Sequence, residues 1–114
     1  MKKEDHLSKA VEIEKSIVKL DSETDWSLII EGVYNITIQY IAYYCESKHR
    51  DHRDTHKGII SYLKSVGENM LAEKFLKLDT LRTGRWYGGK TNGEAAVEAL
   101  SILDEIKKVC DIKI

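Results

Sequence analysis

Apolar residues recur at helical spacing through most of this chain. Leu7, Ala10, Val11, Ile17 and Val18, widened by Ile13 and Leu20, fall on one stripe of a helix from about Asp5 to Leu20. The polar run Asp21-Ser22-Glu23-Thr24-Asp25 stops it and supplies N-cap residue types for the next helix. That second helix runs from about Asp25 to Glu46. Trp26, Ile29, Ile30, Val33, Ile36, Tyr40, Ile41 and Tyr44 fit one broad face. A strand pattern competes locally, because Tyr34, Ile36, Ile38 and Tyr40 alternate with Asn35, Thr37 and Gln39. The apolar run is too long for one strand, and no turn dipeptide divides it into a hairpin, so helix is the reading.

A third helix starts near Asp54 or Thr55, carries Ile59, Ile60, Tyr62 and Leu63, and stops at Gly67. A fourth runs from Glu68 to about Leu81 with Leu71, Phe75, Leu78 and Leu81 inward, and Gly84 ends it. After the loop Thr83–Lys90, Thr91-Asn92-Gly93-Glu94 has the spacing of a capping box. Ala96, Ala99, Leu100, Leu103, Ile106 and Cys110 then line the last helix. With no proline to break these helices and short joints between them, the expected architecture is all-α. It is an up-and-down bundle of about five helices, one domain over residues 1–114.

Composition narrows the function classes. Apolar residues are 42% and charged residues 32%, a globular balance, and the net charge of −1 gives no global bias toward nucleic acid or anionic membrane. Trp26–Cys45 is long enough to cross a bilayer and carries one charge, Glu31, but Asn35, Thr37 and Gln39 near its middle favour a buried central helix. The breadth of its apolar surface suggests burial on two sides, and a homodimer would cover part of it. The polar start Met1–Asp5 lacks the apolar core of a signal peptide. Cys45 and Cys110 sit on helices, so a cytoplasmic protein with two reduced, buried thiols is expected.

The candidate chemistry lies in Ser47–Lys57. This stretch holds three of the four histidines and four Lys/Arg against two Asp. Histidine moves protons near neutral pH and arginine grips phosphate with a planar fork. A histidine base and an arginine clamp suffice to cleave RNA without a metal. The same composition also suits a solvated joint between helices. Cys45, His49, His52 and His56 would share a face of one continuous helix, yet a set stretched over roughly 16 Å cannot converge on one ion. No metal and no cofactor is expected.

Gly84-Arg85-Trp86-Tyr87-Gly88-Gly89-Lys90-Thr91 spells the P-loop pattern, but a helix precedes it where a strand is required. What survives is a weaker phosphate or nucleotide site from Arg82, Arg85, Lys90 and Thr91 at the start of the last helix. A glycine-rich turn packed over Trp86 and Tyr87 is the alternative. Tyr34, Tyr40, Tyr43 and Tyr44 offer faces for base stacking, or fill the core.

The chain resembles the HEPN family of small helical domains over about residues 5–110. The resemblance rests on the long aromatic helix Trp26–Cys45 and on the polar break into His56-Lys57-Gly58-Ile59-Ile60-Ser61-Tyr62-Leu63. It rests also on Leu78-Asp79-Thr80-Leu81-Arg82-Thr83-Gly84-Arg85-Trp86-Tyr87 and on the alanine-rich last helix from Glu94. It implies a four- to five-helix bundle, often dimeric. Many members are metal-independent endoribonucleases of toxin–antitoxin or defence systems. Others are non-catalytic and pair with a nucleotidyltransferase. The ribonuclease motif is an arginine, a polar residue just after it, and a histidine after four to six intervening residues. Arg50, Asp51 and His56 match it, with Arg53 a second arginine nearer the histidine. By this resemblance Arg50 binds the scissile phosphate and His56 is the acid–base residue. The non-catalytic alternative is a module that binds a nucleotide, nucleic acid or a nucleotidyltransferase partner.

Overall fold

A computed structural model describes residues 2–51, 56–84 and 91–112, with His56 and Lys57 placed through their backbone. The described residues form α1 (Lys3–Ile17), α2 (Trp26–His49), α3 (His56–Ser65), α4 (Asn69–Arg82) and α5 (Asn92–Val109). The all-α bundle expected from periodicity is what forms, and the strand alternative at Tyr34–Tyr40 gives way to helix.

Side-chain contacts set the topology. α1 runs antiparallel to α2, since His6 meets Gln39 near one end and Ile17 lies against Gly32 near the other. Helix α4 is also antiparallel to α2: Glu68, before its first turn, meets Tyr44, Phe75 meets Tyr34, and Arg82 meets Glu31. Helix α5 runs parallel to α2, with Lys107 over the Tyr40 ring. The long helices therefore alternate in direction, and short α3 is inserted before α4 and packs on it. At the α1–α2 crossing a Cβ on residue 32 would sit 2.5 Å from Ile17 Cγ2, so glycine lets the two helices approach.

The core follows the periodicity with two corrections. Leu71, Phe75, Leu78 and Leu81 of α4 are all buried, as expected. Val18 is not on the buried stripe: α1 ends at Ile17, and Val18 is 67% exposed. The breadth of α2's apolar surface is used within the chain, because α1, α4 and α5 all pack on it. That surface therefore gives no argument for a dimer. Among the described residues no helix is long and apolar enough to cross a membrane. Cys45 and Cys110 are buried free thiols, both pushed up by burial, Cys45 to about 12.

Three polar residues of α2 that argued against a membrane span have separate fates. Asn35 is exposed, Gln39 binds His6 at 2.6 Å, and Thr37 is fully buried with no hydrogen-bond partner for Oγ1 among the described residues. A buried hydroxyl without a partner costs more than the methyl that replaces it. Thr37→Val is expected to stabilise the fold by about 1 kcal/mol in urea unfolding. A loss of stability would mean that the hydroxyl is satisfied.

Candidate functional site

Helix ends, rather than helix faces, assemble the candidate site. Four residues at or just past the C-termini of α2, α3, α4 and α5 adopt a positive φ: Arg50 (59°), Gly67 (82°), Gly84 (79°) and Asp111 (57°). Glycine is the usual residue there because any Cβ crowds the backbone. Gly67 closes α3 with the paired bonds Glu68 N–H to Leu63 O and Gly67 N–H to Lys64 O. Asp111 closes α5 the same way, through Ile112 N–H to Lys107 O and Asp111 N–H to Lys108 O. Aspartate tolerates the left-handed region better than most residues. Arginine at position 50 has no such excuse.

Arg50 is exposed and makes no hydrogen bond or ion pair with a described residue. The next residue, Asp51, is held through its carbonyl, which accepts from the Tyr62 hydroxyl at 3.0 Å. Tyr62 lies on α3, whose first residue is His56. One hydrogen bond thus ties the segment after Arg50 to the helix that His56 opens. Arg53 and the side chain of His56 lie outside the described residues.

The end of α2 is fixed to the approach to α4 by Glu68. Its Oε2 accepts from the Tyr44 hydroxyl at 2.9 Å and lies 2.9 Å from His49 Nε2 and 3.0 Å from Lys48 Nζ. Burial alone would push this carboxyl up, but the hydrogen bonds from His49, Lys48 and Tyr44 overcome that and hold it below the usual carboxylate range. The Tyr44 hydroxyl and Glu68 in turn raise Lys48, so it stays charged. Because the Glu68 carboxyl is lowered in the fold, its contribution is present above the ordinary carboxylate pKa of about 4.3. That contribution is lost as pH falls through the lowered folded value. Glu68→Gln is expected to cost about 1–2 kcal/mol at pH 7, since solvent screens the exposed Lys48, and less at pH 3. Urea melts at the two pH values read the difference. An equal cost at both would show that the carboxylate charge is not what holds these elements.

The histidine-face premise of a metal site does not survive. Helix α2 ends at His49, Arg50 turns left-handed, and α3 begins at His56. Cys45, His49 and His56 are therefore not on one continuous helix, and His49 is engaged by Glu68. His52 lies outside the described residues. No cluster of three or more metal-ligating side chains occurs among the described residues.

The second candidate segment is partly used by the fold. Arg82 Nε donates to Glu31 Oε1 at 3.2 Å, Arg82 Nη1 lies 3.6 Å from Asp79 Oδ1, and its guanidinium sits 4.3 Å from the Tyr34 ring centroid. Thr91 caps α5, accepting from the Glu94 N–H at 3.1 Å. Arg85 and Lys90 lie outside the described residues, as do Trp86 and Tyr87. Of the four tyrosines offered for stacking, Tyr34 and Tyr40 are buried, and Tyr43 and Tyr44 are half-buried near the end of α2 that carries Arg50.

Sequence reasoning missed Tyr62 as a clamp and Glu68 as a hub. Glu68 stood only as the start of a helix, and nothing in its spacing separates it from a solvated first-turn acid. Tyr62 was legible as a half-buried helix residue, not as a donor to a backbone eleven residues away. No family model, curated protein or solved structure matches the chain.

Proposed function

We propose that this chain is a homodimeric, cytoplasmic, metal-independent endoribonuclease in which Arg50 holds the scissile phosphate and His56 transfers the protons. The supporting observation is Arg50 itself. It occupies a left-handed helix end that favours glycine, and its side chain is exposed and uncommitted to any described residue. A residue kept in a costly backbone conformation is a pointer to function. The N-terminus of α3 lies on the same chain segment, and the positive end of a helix dipole favours a nearby phosphate.

In the reaction His56 takes the ribose 2′-OH proton. The 2′-oxygen attacks phosphorus, the 5′-oxygen leaves, and a 2′,3′-cyclic phosphate forms. Arg50 stabilises the charge that grows on the non-bridging oxygens. Two copies facing each other at this end of the bundle supply a base and an acid; this part of the reading rests on the HEPN resemblance. The alternative is a non-catalytic module that binds a nucleotide, nucleic acid or a nucleotidyltransferase partner through Arg82, Arg85, Lys90 and Thr91. It has less support, because Arg82 and Thr91 already serve the fold.

The test is cleavage of a structured RNA in EDTA by the wild-type protein beside His56→Ala. Cleavage by the wild type alone supports the reading. Equal cleavage by both, or none by either, overturns it.

A further inference from the structure

Arg50 stands between two residues that are each held by a side chain from one short piece of chain. On one side, His49 Nε2 donates to Glu68 Oε2 at 2.9 Å. On the other, the Asp51 carbonyl accepts from the Tyr62 hydroxyl at 3.0 Å. Tyr62 lies in the second half of α3, and Glu68 follows the Gly67 that closes this helix, so α3 and its cap supply both bonds. The Arg50 side chain makes none with a described residue. We propose that Tyr62 and Glu68 are positioning residues that grip the backbone on either side of Arg50 and aim its guanidinium relative to α3, the helix that His56 opens. What the grip achieves rests on the ribonuclease reading; the grip itself rests on the two bonds.

Backbone strain makes such a grip necessary. A non-glycine residue at a φ of 59° persists only where its surroundings over-determine it. The bond at His49 fixes the entry to the turn and the bond at Asp51 fixes its exit. Plain stability does not account for the Tyr62 bond. Asp51 is exposed and lies outside any helix, so water serves its carbonyl nearly as well, and the net gain from the tyrosine is small. Water cannot supply a fixed distance between the end of α2 and α3, which packs on α4. The Glu68 arm is compatible with an anionic ligand nearby, because Lys48 Nζ lies 3.0 Å from the same Oε2 and balances its charge. Distance matters here: misplacing a reacting group by about 1 Å costs roughly 10²-fold in rate.

Tyr62→Phe removes the hydroxyl and keeps the ring; His49→Ala takes its partner from the Glu68 arm. In steady-state cleavage of a structured RNA in EDTA, each is expected to lower kcat about tenfold and to leave KM within about twofold. Adding Tyr62→Phe to Arg50→Gly should slow cleavage no further than Arg50→Gly alone, since a residue that acts through Arg50 has nothing left to aim. A merely structural role would slow both backgrounds alike. Amide exchange by NMR reads the grip without RNA: in Tyr62→Phe the last turn of α2 should exchange about tenfold faster, while α1 keeps the wild-type rates. An unchanged kcat in either variant, an equal loss in the Arg50→Gly background, or unchanged exchange overturns the grip. If exchange quickens while the wild type leaves RNA intact, the ribonuclease reading falls and the grip stands. If RNA is cleaved but these effects are absent, the grip alone falls.

Discussion

Arg50→Gly should make the protein more stable and nearly inactive at once. A non-glycine residue in the left-handed region costs about 1–2 kcal/mol. Glycine removes that cost and gives back about 0.5–1 kcal/mol through its greater freedom in the unfolded chain. The net gain is up to about 1 kcal/mol, or a rise of roughly 4 °C in Tm. The exposed Arg50 side chain makes no hydrogen bond or ion pair with a described residue, so its removal subtracts nothing from that gain. Cleavage should fall about 10²- to 10³-fold, as when one donor to a developing phosphate charge is removed. His56→Ala should fall further, about 10²- to 10⁴-fold, because it removes the proton transfer itself. Thermal melts and RNA cleavage in EDTA on the same preparations read both arms. A glycine variant that cleaves like the wild type removes Arg50 from the site and passes the role to Arg53. A glycine variant that melts lower shows that Arg50 is not strained.

Sequence periodicity carries far in this chain because most of the core is written within single helices. The α4 stripe Leu71, Phe75, Leu78 and Leu81 is buried residue for residue. The N-cap at Thr91 was also legible, since capping is a contact across three residues. Boundaries read less well. Asp25 precedes α2 but makes no side-chain cap. The acids of that turn bind it internally instead, Asp21 Oδ1 accepting from the Glu23 and Thr24 N–H groups and Asp25 Oδ2 from the Asp21 N–H. The composition of the turn was right and its use was not.

Polar contacts between helices were beyond periodicity, because their partners are far apart in the chain. Glu14 joins three helices: its carboxylate accepts from the Tyr40 hydroxyl at 2.6 Å and from Lys107 at 2.8 Å. His6, the one histidine outside Ser47–Lys57, is buried against Gln39. The available signal was weak: Lys107 falls between Ile106 and Cys110 on an otherwise apolar stripe, and a cation there needs an anion. The candidate site has a similar split. The Arg50–His56 spacing is visible in the sequence. The left-handed turn that presents Arg50, the Tyr62 clamp and the Glu68 hub depend on how three helices meet.

Phe75→Ala should give the largest loss of stability in the molecule, and its neighbour supplies the control. Phe75 is fully buried, and its ring centroid lies 5.3 Å from that of Tyr34 on α2. Truncation removes the transfer energy of the ring and leaves a cavity that close-packed helices do not refill, a cost of about 3–5 kcal/mol. Against a total of about 5–15 kcal/mol, that takes a large part of the stability, and Tm should fall by roughly 10–20 °C. Leu76 is one residue on and 48% exposed, so Leu76→Ala should stay within about 0.5 kcal/mol of the wild type. The pair tests the rotational setting of α4, and with it the fold that places Glu68 against the end of α2. Urea unfolding of the two variants measures it. Comparable costs at positions 75 and 76 would mean that α4 is turned about its axis. The helix that receives the Glu68 tether would then not be the one described.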